Sequence, residues 1–282
     1  MQEITISNKF VKAVISEQAA EVISFMRLDN QIEAIWCGNP EFWFNRNPVL
    51  FPYTGPLVDG KYTYHKHTYE LGQHGFARRA KFTLEEHDES SAVLSLTYNE
   101  DTLKVYPFKF RLEVRYSLDG YKLVLDYKVI NLDDVDLPFD IGFHPAFNCP
   151  LTPDKKYSDY RIQFAQKESL KADRWDNVVV PDGDSFPLDK YLVKNSFFYH
   201  NDQIKSPYAE LTDGEHTIRV GKEGFDTIGF WKPREEAPFM CIEPWAPKSN
   251  LRKCNFFRPD TFVNLLEPED VFTCSYYFEL VK

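Results

Sequence analysis

From Phe108 to Ile130 the chain alternates apolar and polar residues through two runs, Phe108 to Leu118 and Tyr121 to Ile130, joined at Asp119-Gly120. A period of two sends alternate side chains to opposite faces of a strand, and Asp-Gly is a tight hairpin turn. The same pattern recurs along the chain. Thr5 to Phe10, Lys12 to Ile15, Val22 to Arg27 and Gln31 to Trp36 are short β-like runs, the last closed by Cys37-Gly38-Asn39-Pro40. Lys61 to Leu71 predicts a hairpin; Lys81 to Glu86, Ala92 to Tyr98, Arg161 to Phe164, Ala209 to Thr212, His216 to Val220, Thr227 to Trp231, Phe239 to Ile242, Phe262 to Glu267 and Val271 to Glu279 predict strands. No stretch offers a long, capped, 3.6-period helix, and one short helix is expected near Leu188 to Lys194. Strand after strand with turns between is an antiparallel, all-β pattern with little helix.

With 282 residues, 43% hydrophobic and 16% aromatic, the chain can bury a large core. Sandwiches run long as single units, and no linker, low-complexity tract or fixed-period repeat divides it, so residues 1–282 are expected to form one domain. Apolar runs fall short of a membrane span and Met1 to Phe10 lacks a signal-peptide pattern, which points to the cytoplasm. A net charge of −10 argues against nucleic acid or an anionic membrane as partner, though not against a local cationic pocket for a small anion. The five cysteines are widely spaced without a CxxC pair, as expected of reduced thiols.

Four stretches depart from the regular pattern. Phe42 to Gly60 is apolar yet broken by Pro48, Pro52 and Gly55, and Arg46 lies amid its aromatics; that arginine either meets an anion or lays its stem over the rings. In Gly72-Gln73-His74-Gly75-Phe76-Ala77-Arg78-Arg79, two glycines bracket His74 and allow close backbone approach. In Asp140 to Asn148, a buried strand is expected to end at Phe143, with Pro145 barring further ladder donation. His144 then either caps a strand or turns its imidazole into a cavity. Phe239 to Ile242 reads as a strand buried on both faces, ending at Glu243, a carboxylate that is either solvated, paired or facing a cavity.

Several chemistries are set aside. His65, His67 and Glu70 lie near metal-ligand spacing but do not match a cupin set, and a solvated hairpin face is the simpler reading, so no metal is expected. There is no GxSxG elbow, Walker loop or GxGxxG. Two imidazoles and a carboxylate in irregular segments suit proton transfer at oxygen atoms, without a covalent intermediate.

Taken together, Asn47-Pro48-Val49-Leu50-Phe51-Pro52, His74-Gly75-Phe76-Ala77-Arg78, Gly142-Phe143-His144-Pro145-Ala146-Phe147-Asn148 and Cys241-Ile242-Glu243-Pro244-Trp245 resemble the aldose 1-epimerase (galactose mutarotase-like) family, and within it the LacX-like branch. The resemblance implies an antiparallel β-supersandwich with a sugar cleft on one concave face and a cofactor-independent isomerase. It implies Glu243 as base on the anomeric hydroxyl, His144 as acid on the ring oxygen, and His74 and Arg46 as sugar-binding residues. The family's aspartate contact has Asp226 as its candidate, and Phe76, Trp231 and Trp245 could stack on a sugar's apolar face or pack in the core. Around His144 the chain departs from galactose mutarotases, Pro145-Ala146-Phe147 replacing the usual following aromatic. Arg78 matches an arginine that helps hold phosphate in hexose-6-phosphate epimerases, with Arg79, Lys248 and Arg252 as further cations. The implied partner is therefore a sugar or a sugar phosphate, and a non-catalytic carbohydrate-binding protein on the same fold is the reading from another class.

Overall fold

The computed structural model describes residues 2–172, 179–192, 196–199, 204–223, 225, 227–245, 252–253 and 262–281. Its strand pairs are antiparallel. Among the described residues one large sheet runs from Val49–Leu50 through Gly142–Phe143, Phe239–Trp245, Thr227–Lys232, Ser196–Tyr199, Arg161–Ala172, Tyr208–Thr212, Thr217–Glu223, Val271–Leu280, Lys122–Asn131, Phe110–Asp119 and Ser91–Thr97 to Thr83–His87. The expected hairpin is there, Leu118 paired with Leu123 across Asp119 and Lys122. Alternate residues of Lys122–Asn131 are buried, as its period of two requires.

A smaller sheet, Glu3–Ser7, Val11–Ser16 and Val22–Arg27, packs on the large one. Ile4, Ile6, Val11, Ala13, Ile15 and Val22 supply its apolar face. Phe25 reaches Phe278 at a ring distance of 6.4 Å, and the Tyr116 hydroxyl donates to the Ala20 carbonyl. The result is sheet on sheet with one continuous core between them.

Side chains that imitate the backbone explain where strands stop. Asn8 Oδ1 accepts the N–H groups of Phe10 and Val11, so the first strand ends before Phe10. Gln31 to Trp36 makes isolated bridges rather than the expected strand, because the Glu33 carboxylate takes the N–H groups of Phe25 and Ile35 and the Ser24 hydroxyl in place of ladder bonds. A helix the alternation does not announce, Glu100–Val105, is opened by a capping box in which Asn99 Oδ1 accepts from Asp101 and Thr102 while Thr102 Oγ1 accepts the Asn99 N–H. The expected short helix spans Leu188–Tyr191. No helix of the described residues is long and apolar enough to cross a membrane, and the four cysteines among them are free thiols, three of them buried.

The irregular segments converge at one end of the large sheet. Pairing does not end at Pro145, as the sequence led us to expect. Gly142 pairs with Trp245 before it and Ala146 with Cys241 after it, on the same partner strand and in the same register. His144 and Pro145 therefore interrupt one ladder rather than terminate it. Val49–Leu50 closes the other side of Gly142–Phe143. The His74 loop is pinned to the next residue along, where Phe76 and Ala77 both donate to the Phe51 carbonyl at 3.1 and 3.2 Å.

That contact needs a residue without Cβ at position 75. Gly75 has φ +69°, and a Cβ there would lie 2.1 Å from the Phe51 oxygen. Gly75→Ala is expected to cost about 1–3 kcal/mol in backbone strain alone, with more for displacing the Phe51 carbonyl. Urea unfolding checks this; a loss within about 0.5 kcal/mol would mean that the loop rebuilds freely.

Candidate active site

Because the register is equal on both sides of Pro145, His144 falls opposite Glu243 across the interrupted ladder. Opposite residues of an antiparallel pair share a face, and here they meet. His144 Nε2 lies 3.4 Å from Glu243 Oε1. Glu243 is 1% exposed and His144 8%. Neither Glu243 Oε1 nor His144 Nδ1 has a hydrogen-bond partner. Burial pushes the Glu243 carboxyl well above the usual carboxylate range, the Trp245 indole opposing it. Burial pushes His144 well below the usual imidazole range, assisted by His74 and the Arg78 guanidinium. Burial thus disfavours the charged form of both groups. On the other side of Glu243 stands Gly229, without a side chain to cover it.

His74 stands edge-on to His144, with ring centroids 5.9 Å apart and planes at 90°. Its orientation is set twice by Gly55: the His74 N–H donates to the Gly55 carbonyl and the Gly55 N–H to His74 Nδ1, each at 3.0 Å. With Nδ1 accepting, Nε2 carries the ring proton. Burial, then the Arg78 charge, push His74 down to about 3.

Arg78 is in turn held from behind. Its Nη2 donates to Asn45 Oδ1 at 2.7 Å, and its Nε is buried without a partner. Asn45 Nδ2 donates to Glu21 Oε1 at 3.2 Å, and the same oxygen accepts the N–H groups of Arg46 and Asn47. Burial raises Glu21, while these donors draw it back. One buried carboxylate thereby orders the loop that carries Asn45 and, through Asn45, the arginine beside both imidazoles.

The remaining wall is aromatic and separate from the main core. Trp36, Phe239, Cys241, Ala146 and Ala237 form a satellite cluster with Phe42, Trp43 and Trp231. Trp43 lies over His144 at 4.7 Å and 32°, and Trp231 meets the same ring edge-on at 5.2 Å. The Trp36 indole N–H donates to the Trp43 carbonyl at 2.8 Å, which fixes the Trp43 backbone.

The structure thus gathers His144, Glu243, His74, Arg78 and Trp231. Arg46 has a backbone partner: its Nε donates to the Cys37 carbonyl at 3.0 Å and its guanidinium lies against Gly38. Phe76 packs on Phe51, Tyr106 and Phe110 in the core. His65 and His67 are exposed, and Glu70 pairs with Lys61 at 3.3 Å. Asp226 and Lys248 lie outside the described residues. Glu243 sits within Phe239–Trp245 rather than after it, Pro244 standing opposite Ile228. Trp43, Asn45 and Glu21 are contributors the sequence reading passed over. Trp43 and Asn45 flank the irregular loop at Arg46, whose apolar yet broken composition was the signal. Glu21, in a turn between two strands, had none.

A family model described as aldose 1-epimerase matches residues 2–255. Protein LacX of Lactococcus lactis subsp. lactis, in plasmid and chromosomal forms, is 30% identical, the match covering 97% of each chain. Among solved structures, a galactose mutarotase related enzyme from Lactobacillus acidophilus superposes with a TM-score of 0.87 at 28% identity, over 100% of this chain and 98% of that one. A galactose mutarotase-like protein from Lactobacillus casei gives 0.86 at 28% identity, over 99% and 100%.

The depressed imidazoles have a measurable consequence. Below 6.5 the unfolded chain protonates His74 while the folded chain refuses the proton until about 3. Stability is therefore lost as pH falls through that window, by about 1.4 kcal/mol per pH unit for each such group. His144 acts in the same direction. Glu243 acts oppositely, since above 4.5 the unfolded chain has lost a proton that the folded chain keeps. His74→Gln is expected to reduce the slope of stability against pH in the window by about one proton's worth, read from urea midpoints. An unchanged slope would mean that His74 titrates normally.

Proposed function

The chain belongs to the aldose 1-epimerase family, and on that premise we propose that it interconverts the α and β anomers of a hexose by acid–base ring opening. The observation that carries this reading is the buried His144–Glu243 pair, 3.4 Å apart, beside the Trp43 and Trp231 rings.

Anomerisation needs a proton removed from O1 and one delivered to the ring oxygen. The C1–O5 bond then breaks, the aldehyde turns about C1–C2, and the ring closes on its other face with proton roles reversed. Glu243 takes the O1 proton and His144 serves the ring oxygen. Since burial disfavours both charged forms, these roles require one proton transfer across 3.4 Å, from carboxyl to imidazole, to give carboxylate and imidazolium. Sugar hydroxyls supply the donors that a buried carboxylate lacks and make that transfer favourable. Either partner can then give or take a proton, which suits a reaction that must run both ways. His74, its ring held by Gly55 through Nδ1 and with the Gln73 amide 3.1 Å from its Nε2, orients the sugar oxygens. Trp231 and Trp43 offer faces to the apolar side of the ring. A carbohydrate-binding protein without activity would need hydrogen bonds, but not a buried carboxyl set 3.4 Å from a buried imidazole.

One observation favours a phosphorylated substrate as the second reading: Arg78 keeps a buried Nε donor unused beside the pocket. The free aldose remains our first reading. Arg78 already engages Asn45 and acts on the two imidazoles from within, as suits a residue that tunes the histidines. Polarimetry with galactose and galactose 6-phosphate separates these. Faster equilibration of the free sugar is expected, and a clear preference for the phosphate would reverse the order.

Glu243→Gln keeps shape but cannot act as a base, and anomerisation should fall by about 10²–10⁴ with sugar affinity changed far less. His144→Asn should lose a comparable factor, and the double variant much less than the product, because the two act as one unit. His74→Asn is expected to weaken binding and rate together. Near-parental turnover in Glu243→Gln, or no turnover in the parent protein, would defeat the proposal.

A further inference from the structure

Cys241 takes no part in the chemistry proposed above, yet it stands two residues before Glu243 on one strand and so shares its face. Cys241 Sγ, a ligand nitrogen of His144 and a carboxylate oxygen of Glu243 all lie within 4.8 Å of one another, and all three residues are buried. The 3.4 Å between His144 Nε2 and Glu243 Oε1 equals the spacing of two ligands on a tetrahedral zinc ion, about 3.4 Å for bonds of about 2.1 Å. A thiolate at about 2.3 Å belongs about 3.6 Å from each of the others, so the sulfur needs to shift by about 1 Å at most. Glu243 is 1% exposed and its Oε1 has no hydrogen-bond partner, so this donor atom is buried and unused beside the other two. Of the two residues of the ion pair, His144 is the more exposed, its side chain at 10% against 1% for Glu243.

We propose that His144, Cys241 and Glu243 form a site for a soft divalent cation, Zn²⁺ in particular, and that its occupation blocks the sugar site. One nitrogen, one sulfur and one oxygen suit zinc and exclude magnesium, which takes oxygen ligands. On binding, the thiol and carboxyl protons pass to the buffer as two metal–ligand bonds form, and the imidazole lone pair makes the third. The ion then occupies the lone pairs that would take a proton from O1 or hold one for the ring oxygen. Zinc and sugar consequently exclude each other.

Co²⁺ reports such a site directly, because a thiolate bound to it gives a near-ultraviolet charge-transfer band. Cys37 is exposed and could bind the ion by itself, so the experiment starts from the full-length Cys37→Ser protein. Titration with Co²⁺ should produce the band, and Zn²⁺ and saturating D-galactose should each abolish it. Cys241→Ala in that background should remove the band and raise the Zn²⁺ needed to halve anomerisation by at least about 10–100-fold; millimolar Mg²⁺ should not inhibit. Absence of the band, or its persistence in Cys241→Ala, overturns the site. Should Cys241→Ala fail to fold, as judged by its far-ultraviolet spectrum, Cys241→Ser in the same background decides in its place: a band that persists there overturns the site. The inhibition arm rests on the proposed anomerisation, whereas the cobalt band requires no turnover, so the failure of one is distinguishable from the failure of the other.

Discussion

Everything distinctive about this molecule depends on one interrupted ladder. Gly142 and Ala146 pair with Trp245 and Cys241 in a single register, and Pro145 takes its intervening position without donating an N–H. A gap in a ladder would ordinarily leave buried polar groups unmet. Here the loops around it close the gap, as His144 N–H reaches the Pro48 carbonyl and the Ile242 N–H reaches the Pro145 carbonyl. What remains open is the pair of side chains. An imidazole and a carboxyl are set opposite each other by the pleat, at a depth where neither is solvated.

That depth determines the chemistry. A carboxyl and an imidazole exposed at a strand end would each keep an ordinary affinity for protons. Buried together, each resists charge, so forming the ionised pair depends on what surrounds it. Arg78 sharpens the effect on the imidazole side by holding a positive charge near both histidines. Its own position traces back through Asn45 to Glu21, a carboxylate that touches no substrate position and collects three donors from one loop. An ordinary turn between two N-terminal strands thus bears on the electrostatics of a site whose acid–base pair comes from the middle and the last fifth of the chain.

The pocket also sits where two hydrophobic clusters meet. The main core, with Phe51, Tyr106, Phe110 and Phe139 at its centre, backs the His74 loop. The satellite cluster of Trp36, Phe239, Trp43 and Trp231 backs His144. A site at a seam between separately packed units can hold rigid side chains on both walls and still leave space between them.

Local chemistry was legible from the residues in order. Alternation from Phe108 to Ile130 and the Asp-Gly turn specify strands and a hairpin, because a period of two is a property of neighbours. Glycine beside His74, proline after His144 and a lone acid closing an apolar run marked the segments that converge at the site. Tertiary structure alone decided which residues meet. The face-sharing of His144 with Glu243 is a matter of register between strands about a hundred positions apart. The place of Arg78 beside the imidazoles depends on which loop folds inward, as does the stacking of Trp43 on His144. Glu33 and Asn8, whose side chains replace ladder bonds, ended strands that composition alone would have continued. Proton affinities in the pocket follow from burial, which sums contributions from the whole fold and has no counterpart in any local stretch of sequence.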